Sequence, residues 1–169
     1  RRKIENRDFG NYLAIARNAE SKMRYDEAIK HFRLALTIFP DRKDLSDAIT
    51  KATEDKRQND ITTLISRAYA LENDNRNWEG ARAIYRQLLD IDSELQPAKD
   101  GLLRTGKVIR SILRYDKYLE MSAIDAKRLK YLQARQSWDQ AMQSKPAYME
   151  LSDEAKRLQQ HLITQSRPV

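Results

Sequence analysis

The side chains best placed to do chemistry in this sequence are five cations that lie close together along the chain. They are Arg104, Lys107, Arg110, Arg114 and Lys117, which fall within fourteen positions. In a helix, residues 107, 110, 114 and 117 share one side, because side chains three or four apart are neighbours. Such a row of cations neutralises phosphates, and the interleaved Tyr115 and Tyr118 offer rings on which nucleic-acid bases stack. The sequence therefore allows two interpretations, a stripe that binds nucleic acid or another anionic surface, and an ordinary solvated helix face.

Patterns typical of catalysis or metal binding are missing from the sequence. His31 and His161 are its only histidines, and neither has the partner at i+4 that a helical metal site uses. The sequence contains no cysteine, no glycine-rich phosphate loop and no G-x-S-x-G turn. Its many Ser, Thr, Asp and Glu residues suit solvated helix faces. We therefore expect a protein that is not an enzyme and that has no cofactor and no metal.

The composition favours helices over strands. Of the 169 residues, 34% are charged and 40% are hydrophobic, and only four glycines and four prolines occur, fewer than a loop-rich β fold uses. The longest notable apolar run, Tyr12–Ala16, is far shorter than the ~18 residues of a membrane span. The net charge of +7 is compatible with an acidic partner, a phosphate-rich partner or an anionic membrane surface, but an ordinary soluble basic surface explains it as well and is the interpretation we favour. Because the chain begins at Arg1 rather than Met, we expect it to belong to a longer protein, which allows for a membrane anchor outside this chain.

Two segments of the sequence repeat one pattern. Each starts with an aromatic residue, reaches an alanine three positions later, and continues with an aromatic and an apolar residue at helical spacing. The first comprises Tyr25, Ala28, Phe32 and Ala35, and the second comprises Trp78, Ala81, Tyr85 and Leu88. We expect each segment to be the second helix of an antiparallel hairpin. Ala16 should then cross Ala28, and Ala68 should cross Ala81, where the helices come closest.

The first copy resembles the tetratricopeptide repeat. Eight positions have the spacing of that family's signature, and they are Tyr12, Ile15, Ala16, Ala19, Ala28, Phe32, Ala35 and Pro40. The resemblance covers Phe9–Pro40 and Ile61–Ser93, although Arg67 and Ser93 depart from the pattern in the second copy. It implies an all-α fold, a right-handed superhelical array of antiparallel helix hairpins (an α-solenoid) of about seven helices. It also implies a non-enzymatic scaffold that binds a peptide or a protein surface in a groove.

The two copies are further apart than tandem repeats of that family. Ala28 and Ala81 are separated by 53 residues, against ~34 in the family. The excess lies in residues 41–60, and no Gly or Pro occurs in 44–73. We therefore predict one long helix near 44–73, ~45 Å in length. A break near Gln58–Asp60 is the alternative, and a rod of this length would also suit a strut within a larger assembly.

The remainder of the chain is helical but divergent. We predict helices over 94–145, with a break near Met121–Ser122, and a capping helix over 147–165 with one apolar face. The segment Trp138-Asp139-Gln140-Ala141 imitates the repeat signature. Pro146 follows it inside the required second helix and would break that helix, so we predict no complete third copy.

The resemblance also predicts a binding groove within a single helical repeat domain, 1–169, whose repeat-like hairpins are 9–40 and 61–93. In the family, the first helix of each repeat lines the groove. The residues at groove-facing positions here are Leu13, Arg17, Glu20, Ile65, Tyr69 and Glu72. Leu13 and Arg17 stand where family members that clamp chaperone tails carry Lys and Asn, so we do not predict a chaperone-tail receptor.

The layout of the whole chain also resembles bacterial envelope proteins with a membrane anchor, a short helical repeat region and a small C-terminal β domain. That resemblance implies the periplasmic side of an inner-membrane anchor, with the cytoplasm as the alternative. Arg1-Arg2-Lys3 would then follow the anchor, and Arg167-Pro168-Val169 would lead into the next domain.

Overall fold

The computed structural model of the protein describes residues 2–74 and 76–165, with side chains from Asn6 onward. The described residues form seven α-helices and no strand. The helices are α1 Arg2–Ser21, α2 Tyr25–Ile38, α3 Lys43–Asn73, α4 Trp78–Ile91, α5 Gln96–Lys127, α6 Tyr131–Ser144 and α7 Asp153–Gln165. The all-α fold class and the number of helices are therefore as predicted.

Contacts within the chain group the helices into two compact units. The first unit comprises Arg1–Arg67 and Gln87–Ser93, and the second comprises Ala68–Arg86 and Glu94–Val169. The superhelical arrangement and the single repeat domain over 1–169 stay predictions. Of the segments that were expected to connect to a longer protein, Arg1 and Arg167–Val169 lie outside the described residues, as do the side chains of Arg2 and Lys3.

In the first unit, α1 and α2 pack together as a hairpin, and its core consists mostly of alanines. The core comprises Ala16, Ala19, Ala28, Phe32, Ala35 and Leu45. Ala16 and Ala28 are both 0% exposed, as expected where two helix backbones approach closely. Ile15, which the repeat pattern puts in the same apolar stripe, is 40% exposed instead.

The long helix α3 is continuous from Lys43 to Asn73, which settles the choice between one helix and two. Its 31 residues correspond to ~45 Å. The polar residues at Gln58–Asp60 do not end it. The carbonyl of Gln58 also accepts a hydrogen bond from the hydroxyl of Thr62 at 2.9 Å, four residues further on.

In the second unit, α5 is also one helix, and the predicted break at Met121–Ser122 is wrong. Ser122 is 0% exposed, and its hydroxyl donates to the carbonyl of Ala134 on α6 at 2.7 Å. The serine is therefore a polar contact between two packed helices. The chain turns later, at Leu129, whose φ is 60°.

The last helix, α7, starts at Asp153, later than the capping helix predicted over 147–165. The chain makes a turn after Pro146, in which the N–H of Met149 donates to the carbonyl of Pro146 at 3.0 Å. The hydroxyl of Ser152 then accepts a hydrogen bond from the N–H of Ala155 at 3.1 Å. This is an N-cap, and it fixes the start of the helix.

The turn between helices recurs three times at an interval of 53 residues. Helices α2, α4 and α6 start at Tyr25, Trp78 and Tyr131, and each has 14 residues. Two positions before each start lies a residue in the left-handed region, with φ of 57° at Met23, 50° at Arg76 and 60° at Leu129. The next N–H donates to the preceding helix, from Arg24 to Ala19 at 2.8 Å, from Asn77 to Leu71 at 2.7 Å and from Lys130 to Asp125 at 2.9 Å.

These hydrogen bonds define a register shared by the three turns, and the residues around the third turn are called the third copy below. Ala134 is the counterpart of Ala28 and Ala81, and all three are 0% exposed. Pro146 excluded a copy anchored at Ala141, because it would lie inside the second helix of that copy. In the register of the turns, Pro146 is instead the counterpart of Pro40, and both prolines follow the end of a 14-residue helix. The chain therefore contains three equivalent helix turns.

Candidate functional site

The best-defined polar site of the protein centres on Glu72, in the second unit. Glu72 is 5% exposed. Arg104 donates to both of its carboxylate oxygens, from Nε to Oε2 and from Nη2 to Oε1, each at 2.9 Å. The hydroxyl of Tyr85, which is 0% exposed, donates to Oε1 as well. The ring of Tyr69 completes the group, with the guanidinium carbon of Arg104 5.8 Å from its centroid.

The protonation states at this site favour a fixed ion pair. Burial pushes the pKa of Glu72 upward, but the hydrogen bonds from Arg104 and Tyr85 and the charge of Arg104 outweigh it, so that the pKa lies below its usual value. Burial and the hydrogen bond to Glu72 raise the pKa of Tyr85 well above its usual value. The hydrogen bond to Glu72 raises the pKa of Arg104 further. A neutral tyrosine between permanent charges does not exchange a proton near neutral pH, so the arrangement serves structure rather than acid–base chemistry.

The same interaction recurs in the first copy in a weaker form. The turn register makes Glu20 the counterpart of Glu72, and Lys51 lies 53 positions before Arg104. Lys51 Nζ lies 3.7 Å from Glu20 Oε1, with the lysine side chain 71% exposed. In each of the first two copies, the cation therefore forms an ion pair with an acidic residue, Lys51 with Glu20 and Arg104 with Glu72.

The third copy lacks the acid, because the counterpart of Glu72 is Ala126. His161 is the ninth residue of α7, as Lys51 is of α3 and Arg104 is of α5, and the cation Arg157 lies one helical turn before it. The counterpart of Tyr69 is also an alanine, Ala123. A cavity of about 320 Å³ lies here between α5 and α7. It is lined by Ala123, Ala126, Lys127, Arg157, Leu158 and His161, and is called the α5–α7 cavity below.

The six predicted groove residues have different environments. Leu13, Arg17, Glu20 and Ile65 belong to the first unit, and Tyr69 and Glu72 belong to the second. Arg17 is exposed and Tyr69 is 41% exposed, so both are free to meet a partner. Leu13 and Ile65 are half-buried. Glu20 and Glu72 are engaged with cations of the protein itself.

The predicted basic stripe is exposed along α5, except that Arg104 is bound to Glu72. Lys107, Arg110, Arg114 and Lys117 are exposed, and none of the four forms an ion pair with a carboxylate in the part of the chain that the structure describes. Tyr115, one of the two rings expected to stack on bases, is only 4% exposed and belongs to the core. Of the two tyrosines expected to stack on nucleic-acid bases, only Tyr118 therefore remains accessible, and it is half-buried.

Two leucines stand exposed beside these cations. Leu103 is 64% exposed and Leu113 is 62% exposed. Leu113 also lines a cavity of about 260 Å³, which it shares with Ile109 and Ile112 of α5 and with residues 76–79 at the start of α4. The exposed side of α5 thus combines large apolar side chains with cations that have no acidic partner.

Comparison with known proteins gives no relative from which a function could be transferred. No protein-family model, curated protein or solved structure matches this chain. Within the described residues, no three His, Cys, Asp or Glu side chains are grouped so that they could hold a metal ion. None of the described helices combines the length and the hydrophobicity needed to cross a bilayer. The function is therefore argued from the geometry above.

Sequence reasoning missed the residues of the third copy that line the α5–α7 cavity. A signal for them exists in the sequence, because Tyr131 and Ala134 follow Trp78 and Ala81 at the same 53-residue interval that separates the first two copies. No sequence signal shows that Ala126 and Arg157 line one cavity, since only the hydrogen bonds of the turns identify Ala126 as the counterpart of Glu72.

Proposed function

We propose that this chain is a non-enzymatic scaffold of the tetratricopeptide-repeat type that binds a peptide or a protein surface. The three equivalent helix turns support a repeat architecture, although the 53-residue interval exceeds the family's ~34. The superhelical, groove-forming arrangement is part of the proposal. The resemblance to envelope proteins adds the proposal that the chain works on the periplasmic side of a bacterial inner membrane.

The observation that carries the proposal is the exposed face of α5. Leu103 and Leu113 leave most of their surface in water, beside Lys107, Arg110 and Arg114. Burying a leucine contributes about 1.5–3 kcal/mol, so such residues favour association when a partner covers them. Arginine is also enriched among the residues that carry most of the binding energy at protein interfaces.

The test is affinity capture with matched leucine variants. Leu103→Ser with Leu113→Ser removes both apolar anchors from α5, whereas Leu132→Ser changes an equally exposed leucine on α6, 70% exposed in the structure. We expect a specific protein partner to be retained by the wild type and by Leu132→Ser, and to be lost with the double variant. Capture of the same proteins by all three would show that this face is not the binding surface.

A second candidate function is the binding of nucleic acid or an anionic surface through helix residues 104–117. The four exposed, unpaired cations of α5 favour it, while the burial of Tyr115 weakens it. Titration of a labelled single-stranded oligonucleotide at increasing salt tests it. Four phosphate contacts predict that the logarithm of the association constant falls with a slope of about −3 against the logarithm of the salt concentration. The absence of binding at low salt would rule this function out.

A further inference from the structure

We propose that the α5–α7 cavity binds a carboxylate side chain of a partner protein, together with an aromatic or other apolar side chain next to it. The first argument is the equivalence of the copies. In the second copy, Glu72 and Tyr69 extend from the first helix of the hairpin, and both contact Arg104. In the third copy the counterparts Ala126 and Ala123 lack these groups, and a cavity remains beside Arg157.

The charged side chains that line the cavity itself suit an acidic group. Arg157, Lys127 and His161 contribute its polar groups, and no carboxylate lines it among the described residues. Neither Arg157 nor Lys127 forms an ion pair in the part of the chain that the structure describes. An arginine that binds a carboxylate at two points gains geometric selectivity as well as charge attraction. A carboxylate from outside would therefore bind beside Arg157, in the space that the missing counterpart of Glu72 leaves at Ala126.

The apolar lining and the volume of the cavity indicate that the occupant also presents an apolar group. Ala126, which is 6% exposed, and the half-buried Ala123 and Leu158 line it with apolar surface. Its volume of about 320 Å³ falls within the range of pockets that hold small ligands. A carboxylate alone would leave empty the space at Ala123 that corresponds to the Tyr69 ring of the second copy. We infer that the occupant presents an acidic and an apolar side chain side by side, as residues 69 and 72 do within one helical turn.

This inference rests on the proposed function in one respect, namely that the occupant comes from a partner protein. The cavity does not include Leu103 or Leu113, the leucines that carry that proposal. The two ideas therefore fail separately.

The experiment uses a probe copied from the chain itself. The tetrapeptide Tyr-Ala-Leu-Glu, which is the sequence of residues 69–72, is acetylated and amidated so that the Glu carries the single carboxylate. Binding to the whole chain is followed by NMR shifts of the α5 and α7 amides. The control probe is Tyr-Ala-Leu-Gln. We expect saturable binding of the Glu probe, and binding at least about tenfold weaker for the Gln probe, because a charged hydrogen bond is lost.

Three variants locate the site. Arg157→Gln, an exposed position, should weaken binding of the Glu probe about tenfold or more, while Arg86→Gln, an exposed arginine on α4, should leave it unchanged. Ala126→Glu should abolish binding and raise the midpoint of thermal unfolding, because the new carboxylate pairs with Arg157 inside the protein.

Three results would overturn the inference: no saturable binding of the Glu probe, equal binding of the Gln probe, or unchanged binding by Arg157→Gln. Loss of probe binding while the wild type still captures its partner through Leu103 and Leu113 would refute this site and leave the proposed function intact. Self-association of the chain that competes with the probe would show that a second copy supplies the carboxylate, and would overturn the proposal of a separate partner protein.

Discussion

Arg104 on α5 holds Glu72 on α3 by two hydrogen bonds of 2.9 Å, although the two residues are 32 positions apart in the sequence. Glu72 is the one carboxylate among the buried residues of the described chain. Its burial is tolerated because Arg104 and Tyr85 together occupy its oxygens. We therefore expect substitutions of Arg104 and of Glu72 to lower the free energy of unfolding by different amounts.

The first prediction concerns the asymmetry of this pair. Arg104→Ala leaves a buried carboxylate without its cation and should lower the free energy of unfolding by about 2–3 kcal/mol. Glu72→Gln should cost only about 1 kcal/mol, because Gln still accepts from Tyr85 and the 44% exposed Arg104 side chain can be hydrated. Urea denaturation of both variants at neutral pH measures the difference. Equal costs would show that the carboxylate is not effectively buried.

The second prediction concerns pH. The pKa of Glu72 is lower in the folded protein than its reference value of 4.5, so the carboxylate contributes stability that is present above about 4.5. This contribution is lost as the pH falls through the folded pKa, because the unfolded chain binds the proton first. The cost of Glu72→Gln should therefore shrink when urea denaturation is repeated at pH 5, 4 and 3. A cost that stays constant down to pH 3 would contradict the lowered pKa.

The third prediction compares two glycines of α5. A Cβ at Gly101 would lie 2.4–2.5 Å from the ring carbons of Tyr85, whereas a Cβ at Gly106 would meet only an Arg110 guanidinium nitrogen, at 3.4 Å. Gly101→Ala should destabilise the protein, by about 1–3 kcal/mol. Gly106→Ala should stabilise it by up to about 1 kcal/mol, because alanine is the better helix former. Thermal unfolding distinguishes the two, and a stabilising Gly101→Ala would refute the contact with Tyr85.

The fourth prediction concerns the turn before α6. Leu129 has a φ of 60° and is 72% exposed, so its side chain strains the backbone and gains little from packing. Leu129→Gly should stabilise the protein by about 0.5–1 kcal/mol, since glycine adopts this conformation freely. Leu132→Gly, at an equally exposed helical position, should destabilise it by a similar amount. The prediction fails if both substitutions change the melting temperature in the same direction.

The sequence was a good guide wherever local pattern decided the structure. The continuous α3 follows from an uninterrupted run without Gly or Pro, and α5 begins at Gln96, close to the predicted start at 94. The buried alanines of the first hairpin follow from the spacing of a known repeat. In each case the signal lies within one or two helical turns.

The sequence was a poor guide where distant residues decide. Ser122 looked like a helix break because its partner, the carbonyl of Ala134, belongs to the next helix. Glu72 was expected in a groove because nothing near it in the chain shows that Arg104 reaches it. The third copy was sought seven residues, or about two helical turns, too late, because Trp138 was matched to the position of Trp78 rather than to that of Tyr85.

The distribution of tryptophan has a practical consequence for the two compact units. Trp78 and Trp138 are the only tryptophans of the chain, and both belong to the second unit. Indole fluorescence therefore reports the unfolding of that unit alone, whereas far-ultraviolet circular dichroism reports the helices of both. Superimposable curves from the two signals would mean that the chain melts as one cooperative body, and separated curves would give each unit its own transition without any engineered label.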